Sequence, residues 1–141
     1  MLCLEVGDAY SQSQGKKTRE DGRMKTIIAG GRTITDPEVL LEALEACPWS
    51  HRITEVVCGK AEGADTLGED WANASGIPVK PFPADWKKHG KAAGPIRNGE
   101  MAVYADSLIA LWDTRSTGTR DMIAKATLKK LKVFVYKVST E

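Results

Sequence analysis

The residues of this chain that could do chemistry gather where apolar runs end. The densest group is "DTRSTGT" (113–119), which follows the run "SLIALW" (107–112). Ser116, Thr117 and Thr119 bring hydroxyl donors, and Gly118 lets the backbone approach a ligand closely. A helix opening here turns unpaired amide N–H groups and a partial positive charge outward, which suits a phosphate. Asp113, at the end of the run, adds a carboxylate facing the same space.

Smaller groups of similar character follow the other apolar runs. "GGRT" (30–33) supplies Gly30, Gly31 and Arg32 after "KTIIAG" (25–30). "GKAEGAD" (59–65) supplies Gly63, Ala64 and Asp65, the last able to cap a helix or hold a ribose hydroxyl. The segment "PADWKKHGKAAGPIRN" (83–98) carries Trp86, Arg97 and Asn98. Trp86 is either a ring for stacking on a base or a loop anchor, and Arg32 and Arg97 offer charged forks for phosphate oxygens. Lys87, Lys88 and Lys91 read as a solvated face or a phosphate-attracting rim, and His89 as a solvated loop residue.

Each feature taken singly has a structural explanation. A Gly-Gly pair makes a tight turn, Ser116, Thr119, Asp36 and Asp65 can cap helices, and no GxGxxG fingerprint is present. Their placement matters more than their types, and placement depends on the elements between them.

Short apolar strands are expected at 25–30, 53–59, 77–82, 107–112 and 132–138, and helices at 36–47, 63–76, 96–105 and 118–130. Asp36 and Pro37 start the first helix; Ala64, Leu67, Trp71 and Ala74 mark the buried face of the second, which Gly76 ends. The third strand contains two prolines and reads as an edge; residues 83–95 read as a loop, with Pro95 opening the next helix. Alternating elements, with strands lacking a period-two pattern, give an α/β fold: a mainly parallel, about five-stranded sheet flanked by helices on both faces. The loops leaving the carboxyl ends of parallel strands share one rim, where ligands bind. All the groups above fall on that rim.

Residues 1–23 lack sustained periodicity and read as a flexible N-terminal arm, leaving 24–141 as one domain. A net charge of +1 gives no broad field for nucleic acid, and no apolar run approaches the roughly 20 residues that cross a bilayer. With no signal-peptide pattern in "MLCLEV", a cytoplasmic protein is expected. Cys3, Cys47 and Cys58 read as buried or incidental thiols; with two histidines in the chain, no metal site is expected.

The segments "IIAGGRTITD", "CGKAEGADTLGEDWANASGIPVKPFPADWKKHGKAAGPIRNGEM", "ADSLIALWD" and "STGTRDMIAKA" together resemble the YspA branch of the YpsA-related SLOG superfamily. That grouping includes the LOG phosphoribohydrolases and DprA-type proteins. The resemblance covers about residues 25–138 and implies a Rossmann-like fold with a nucleotide or an NAD/ADP-ribose derivative as ligand, in a protein that senses or processes it. It also implies dimers or larger assemblies. Arg97 in "RNGEM" matches the arginine of the LOG "RKxxM" stretch, and Gly118 and Thr119 match the "GT" of "GGxGTxxE". The glutamate of that loop falls on Met122, which cannot take a proton; Asp121 is expected to point elsewhere, leaving Asp113 as the available carboxylate. Thr114 stands where a glycine is expected and stiffens the loop. Three readings follow: binding without turnover, N-glycosidic hydrolysis with Arg97 and Asp113 sharing the chemistry, and DprA-like single-strand binding, which the near-neutral charge disfavours.

Overall fold

A computed structural model describes residues 23–139. The expected arm, apart from Arg23, and Cys3 with it, lie outside the described residues.

Five parallel strands form one sheet in the order β3-β2-β1-β4-β5: β1 (Lys25–Gly30), β2 (Glu55–Cys58), β3 (Val79–Pro81), β4 (Ser107–Trp112) and β5 (Lys132–Lys137). This is the Rossmann-like arrangement expected. Both faces are covered, which explains the unbroken apolar runs. Ile28, Val56, Ile109 and Phe134 pack under α1 (Pro37–Ala46) and α2 (Ala64–Ala74). Ile27, Val57, Leu108 and Val135 pack under α4 (Ala93–Tyr104) and α5 (Thr117–Leu128). The polar exceptions in the sheet are paired: the hydroxyls of Thr26 and Ser107 lie 2.8 Å apart across β1 and β4.

Local chemistry sets most boundaries. Asp36 accepts from the Glu38 amide at 3.0 Å and Pro37 takes the first position of α1. Gly76, at φ 72°, follows the last turn of α2. β3 lies on the sheet edge, where its proline removes no central hydrogen bond.

Two expectations need correction. Ala74 is exposed and Trp71 half-buried, and Ala72 takes the inward position on α2 because the helix packs through Ala64, Leu67, Gly68 and Ala72. Residues 83–95 are not a plain loop. A short helix, α3 (Trp86–His89), and a 3-10 turn (Gly90–Ala92) precede α4, which starts at Ala93 rather than after Pro95. Pro95 sits in the first turn, where its missing N–H has no helical partner to lose. Among the described residues, no helix is long and apolar enough to cross a membrane.

Candidate functional site

The chain leaves β1 toward one face of the sheet and β4 toward the other, so a crevice opens between their carboxyl ends. A cleft of about 1030 Å³ lies there. Its walls come from the turns after β1, β2 and β4, from residues 83–86, and from the start of α4. Gly30, Gly31, Arg32, Asp65, Trp86, Arg97, Asn98, Asp113, Ser116, Thr117, Gly118 and Thr119 all line it.

The turn after β4 is the most ordered wall. The carboxylate oxygen Oδ1 of Asp113 accepts from the amides of Arg115 and Ser116, each at 2.8 Å. These two bonds hold the Asp113 carboxyl below its ordinary pKa, although the side chain is open to water. Thr114 closes this turn at φ 69°, a left-handed conformation unfavourable for a β-branched residue. The missing glycine therefore leaves backbone strain at the site.

Ser116 caps α5, its Oγ accepting from the Thr119 amide at 3.3 Å and lying 3.0 Å from the Thr119 hydroxyl. The Arg120 amide reaches the Ser116 carbonyl, which also accepts from the Trp112 indole at 3.1 Å. Among the described residues, the amides of Thr117 and Gly118 meet no protein acceptor, and both residues face the cleft. Trp112 itself does not line the cleft.

The opposite wall is tied to this one by a polar network. Asn98, buried at 6% exposure, donates from Nδ2 to the Gly118 carbonyl at 3.3 Å and to Asp121 at 3.0 Å. Its Oδ1 accepts from Arg97 Nε at 3.0 Å. Lys125 bonds Asp121 at 2.8 Å and the Pro95 carbonyl at 2.8 Å. Asp121 thus lines the cleft, contrary to expectation, because it stands one turn beyond Gly118 and faces α4. Met122 lines it as well, with a buried thioether at the position matched to the LOG glutamate.

Arg97 crosses the floor and donates from Nη1 to the Gly59 carbonyl. A Cβ on Gly59 would lie 2.3 Å from Arg97 Nη1 and 2.9 Å from Asp65 Oδ2, so any larger residue there would have to displace these two side-chain ends. Asp65 is 5% exposed and accepts from the Ala61 amide at 3.2 Å. Burial pushes its carboxyl up to about 6, against the smaller opposing effects of that amide and the Arg97 charge.

Not every expected residue reaches the cleft. Gly63 and Ala64 lie behind its wall, where Ala64 donates its amide to the Gly31 carbonyl at 3.1 Å. Trp86 does border the cleft and is 52% exposed. A methyl on Gly94 would touch the ring edge at 3.5 Å. Lys91 faces the cleft, whereas Lys87, Lys88 and His89 do not. Sequence reasoning missed Gly59, Ala61 and Lys125; only the i, i+4 spacing of Asp121 and Lys125 signalled a partner. Burial drives the Cys47 thiol up to about 12 and raises that of Cys58, which disfavours the thiolate at both. Among the described residues, no group of three or more His, Cys, Asp and Glu side chains converges to hold a metal ion.

Comparison with known proteins bears on this geometry. The profile described as "YspA, cpYpsA-related SLOG family" matches residues 24–89. Gene 61 protein of Mycobacterium phage D29 is 36% identical over 112 residues, covering 72% of this chain and 87% of the relative. The chain belongs to the YspA, cpYpsA-related SLOG family. No solved structure matches it. Membership of the SLOG family suggests nucleotide-related ligand binding. The profile match ends before α4 and α5, so the Arg97–Asn98 pair and the 113–119 turn of this SLOG chain rest on its own geometry.

Proposed function

We propose that the cleft binds a phosphorylated, nucleotide-like ligand, such as a nucleoside phosphate or an NAD/ADP-ribose derivative. The phosphate sits against the first turn of α5. The observation that carries this is the pair of unpartnered amides, Thr117 and Gly118, opening into a cleft at the β1/β4 crevice. Arg32 reaches the same space from the turn after β1, and Asp65 offers an acceptor to a ribose hydroxyl. Trp86 provides an aromatic face at the outer edge for a base.

Binding without turnover is favoured over hydrolysis. A buried methionine occupies the position of the LOG carboxylate, and Asp121 is neutralised by Lys125 at 2.8 Å. A thermal-shift panel of NAD, ADP-ribose, cyclic nucleotides and nucleoside monophosphates tests the reading, followed by chromatography of each hit. At least one phosphorylated compound raises the melting temperature and returns intact. A panel in which none does overturns the proposal, and a hit returned as free base and ribose phosphate establishes hydrolysis instead.

A further inference from the structure

The charges around the cleft are balanced, which is unusual for a site built for polyphosphate. Two lining charges are cancelled by partners outside the cleft lining: Lys60 by Glu69 at 2.8 Å, and Asp121 by Lys125 at 2.8 Å. The remaining lining groups are the acids Glu62, Asp65 and Asp113 and the cations Arg32, Lys91 and Arg97. Arg97 already gives one N–H to the Gly59 carbonyl and another to Asn98. No surplus of positive charge remains for a ligand carrying about four negative charges.

One of these acids, Asp113, lines the cleft beside the first turn of α5. Asp113 uses Oδ1 to accept two amides at 2.8 Å, which fixes the carboxylate at the entrance to the α5 turn. Its Oδ2 lies 4.0 Å from the position a Cβ on Gly31 would take, so it faces the turn after β1. The left-handed Thr114, at φ 69°, keeps this turn closed despite its strain. An asparagine would cap the same two amides without charge, so capping alone does not require a carboxylate.

We propose that Asp113 is a specificity-determining charge filter that makes the cleft select nucleotides of low negative charge, monophosphates and dinucleotide pyrophosphates, over nucleoside triphosphates. The inference rests on the phosphate-binding reading above. Each further negative charge of a polyphosphate meets a fixed like charge within a few ångströms, at a partly exposed site where such repulsion amounts to about tenfold in affinity.

The test compares adenosine 5′-monophosphate and adenosine 5′-triphosphate, with inorganic phosphate and tripolyphosphate as base-free probes, by calorimetry in metal-free buffer. The unmodified chain binds the monophosphate about tenfold or more tightly than the triphosphate. Asp113→Asn keeps the acceptor for both amides, and its gain in triphosphate affinity closes the ratio to about threefold. Rising salt narrows the same ratio in the unmodified chain, a readout that needs no variant to fold. A ratio unchanged by both the substitution and salt, or an initial preference for the triphosphate, overturns the filter while leaving phosphate binding intact. Failure of every probe on both proteins overturns the filter together with the reading beneath it.

Discussion

The turns that open α2 and α5 carry similar signals in the sequence, "EGAD" and "STGT", yet the fold uses them differently. At α2 the chain itself fills the space. Gly63 sits at φ 78°, and a Cβ there would lie 2.3 Å from the Gly31 carbonyl oxygen and 2.5 Å from that of Arg32. Ala64 is fully buried and its amide is taken by Gly31. Only Asp65 of this turn reaches the cleft. At α5 the turn is tied to Asn98 through the Gly118 carbonyl, and a Cβ on Gly118 would meet nothing within 4 Å beyond its own stretch of chain. Ser116 satisfies the Thr119 amide, and the two amides before it stay open. A glycine at a helix start thus either packs against the neighbouring strand's turn, as Gly63 does, or opens onto the cleft, as Gly118 does.

Substitutions can break this contrast, and the glycines show it most sharply. Gly63→Ala forces a side chain into a left-handed position against two carbonyls and is expected to destabilise the protein by about 4 kcal/mol, read by urea unfolding. Gly118→Ala changes stability by less than about 1 kcal/mol, since alanine suits a helix, but its methyl projects toward the phosphate position and weakens ligand binding. Equal losses of stability would mean that the two turns are packed alike.

Asp65 gives the next largest effect. Its carboxyl moves from 3.8 to about 6 on folding, so burying the charge opposes the native state. Well below pH 3.8 the group is protonated in both states and the penalty is absent. As pH rises toward and beyond 6, the folded protein must hold the charge, and stability from this group is lost. Asp65→Asn therefore raises stability by up to about 3 kcal/mol at pH 8 and much less at pH 4, measured by thermal melts across that range. Asp113 behaves oppositely: its lowered pKa stabilises the fold above the ordinary carboxylate range, and that contribution disappears on acidification.

Smaller effects sharpen the view of the α5 turn. Ser116→Ala removes the cap and lowers stability by about 1 kcal/mol in chemical denaturation. Thr114→Gly relieves the left-handed threonine, offset by the greater freedom of glycine in the unfolded chain and the loss of the exposed bond from the Thr114 hydroxyl to the Asp113 carbonyl, for a net gain of about 0.5 kcal/mol. A loss on that substitution would show that the bond from the Thr114 hydroxyl to the Asp113 carbonyl outweighs the strain.

These turns also show how far the sequence could be read. Lys25–Gly30 and Ser107–Trp112 matched their apolar runs because each strand is buried on both faces. Asp36 and Pro37 located α1 because both act on their own backbone. Local chemistry of that kind is legible. The early start of α4 was not, since "WKKHGKAAG" has no apolar period from which a helix boundary could be read. Asp121 was misjudged for a related reason. Its direction along α5 is a helical angle, but the partner that makes it matter, Asn98, comes from a helix 23 residues away in the chain. The gathering of Gly31, Arg97 and Ser116 on one rim followed from the parallel topology alone.

The open amides at the start of α5 are the feature on which the account turns, and amide-resolved NMR addresses them directly. Titrating a phosphorylated compound that raises the melting temperature should move the Thr117 and Gly118 N–H resonances most, with Gly31 and Arg32 next and Gly63 and Ala64 least. Shifts centred on Gly63 and Ala64, or a saturable hit that leaves Thr117 and Gly118 unmoved, would contradict it.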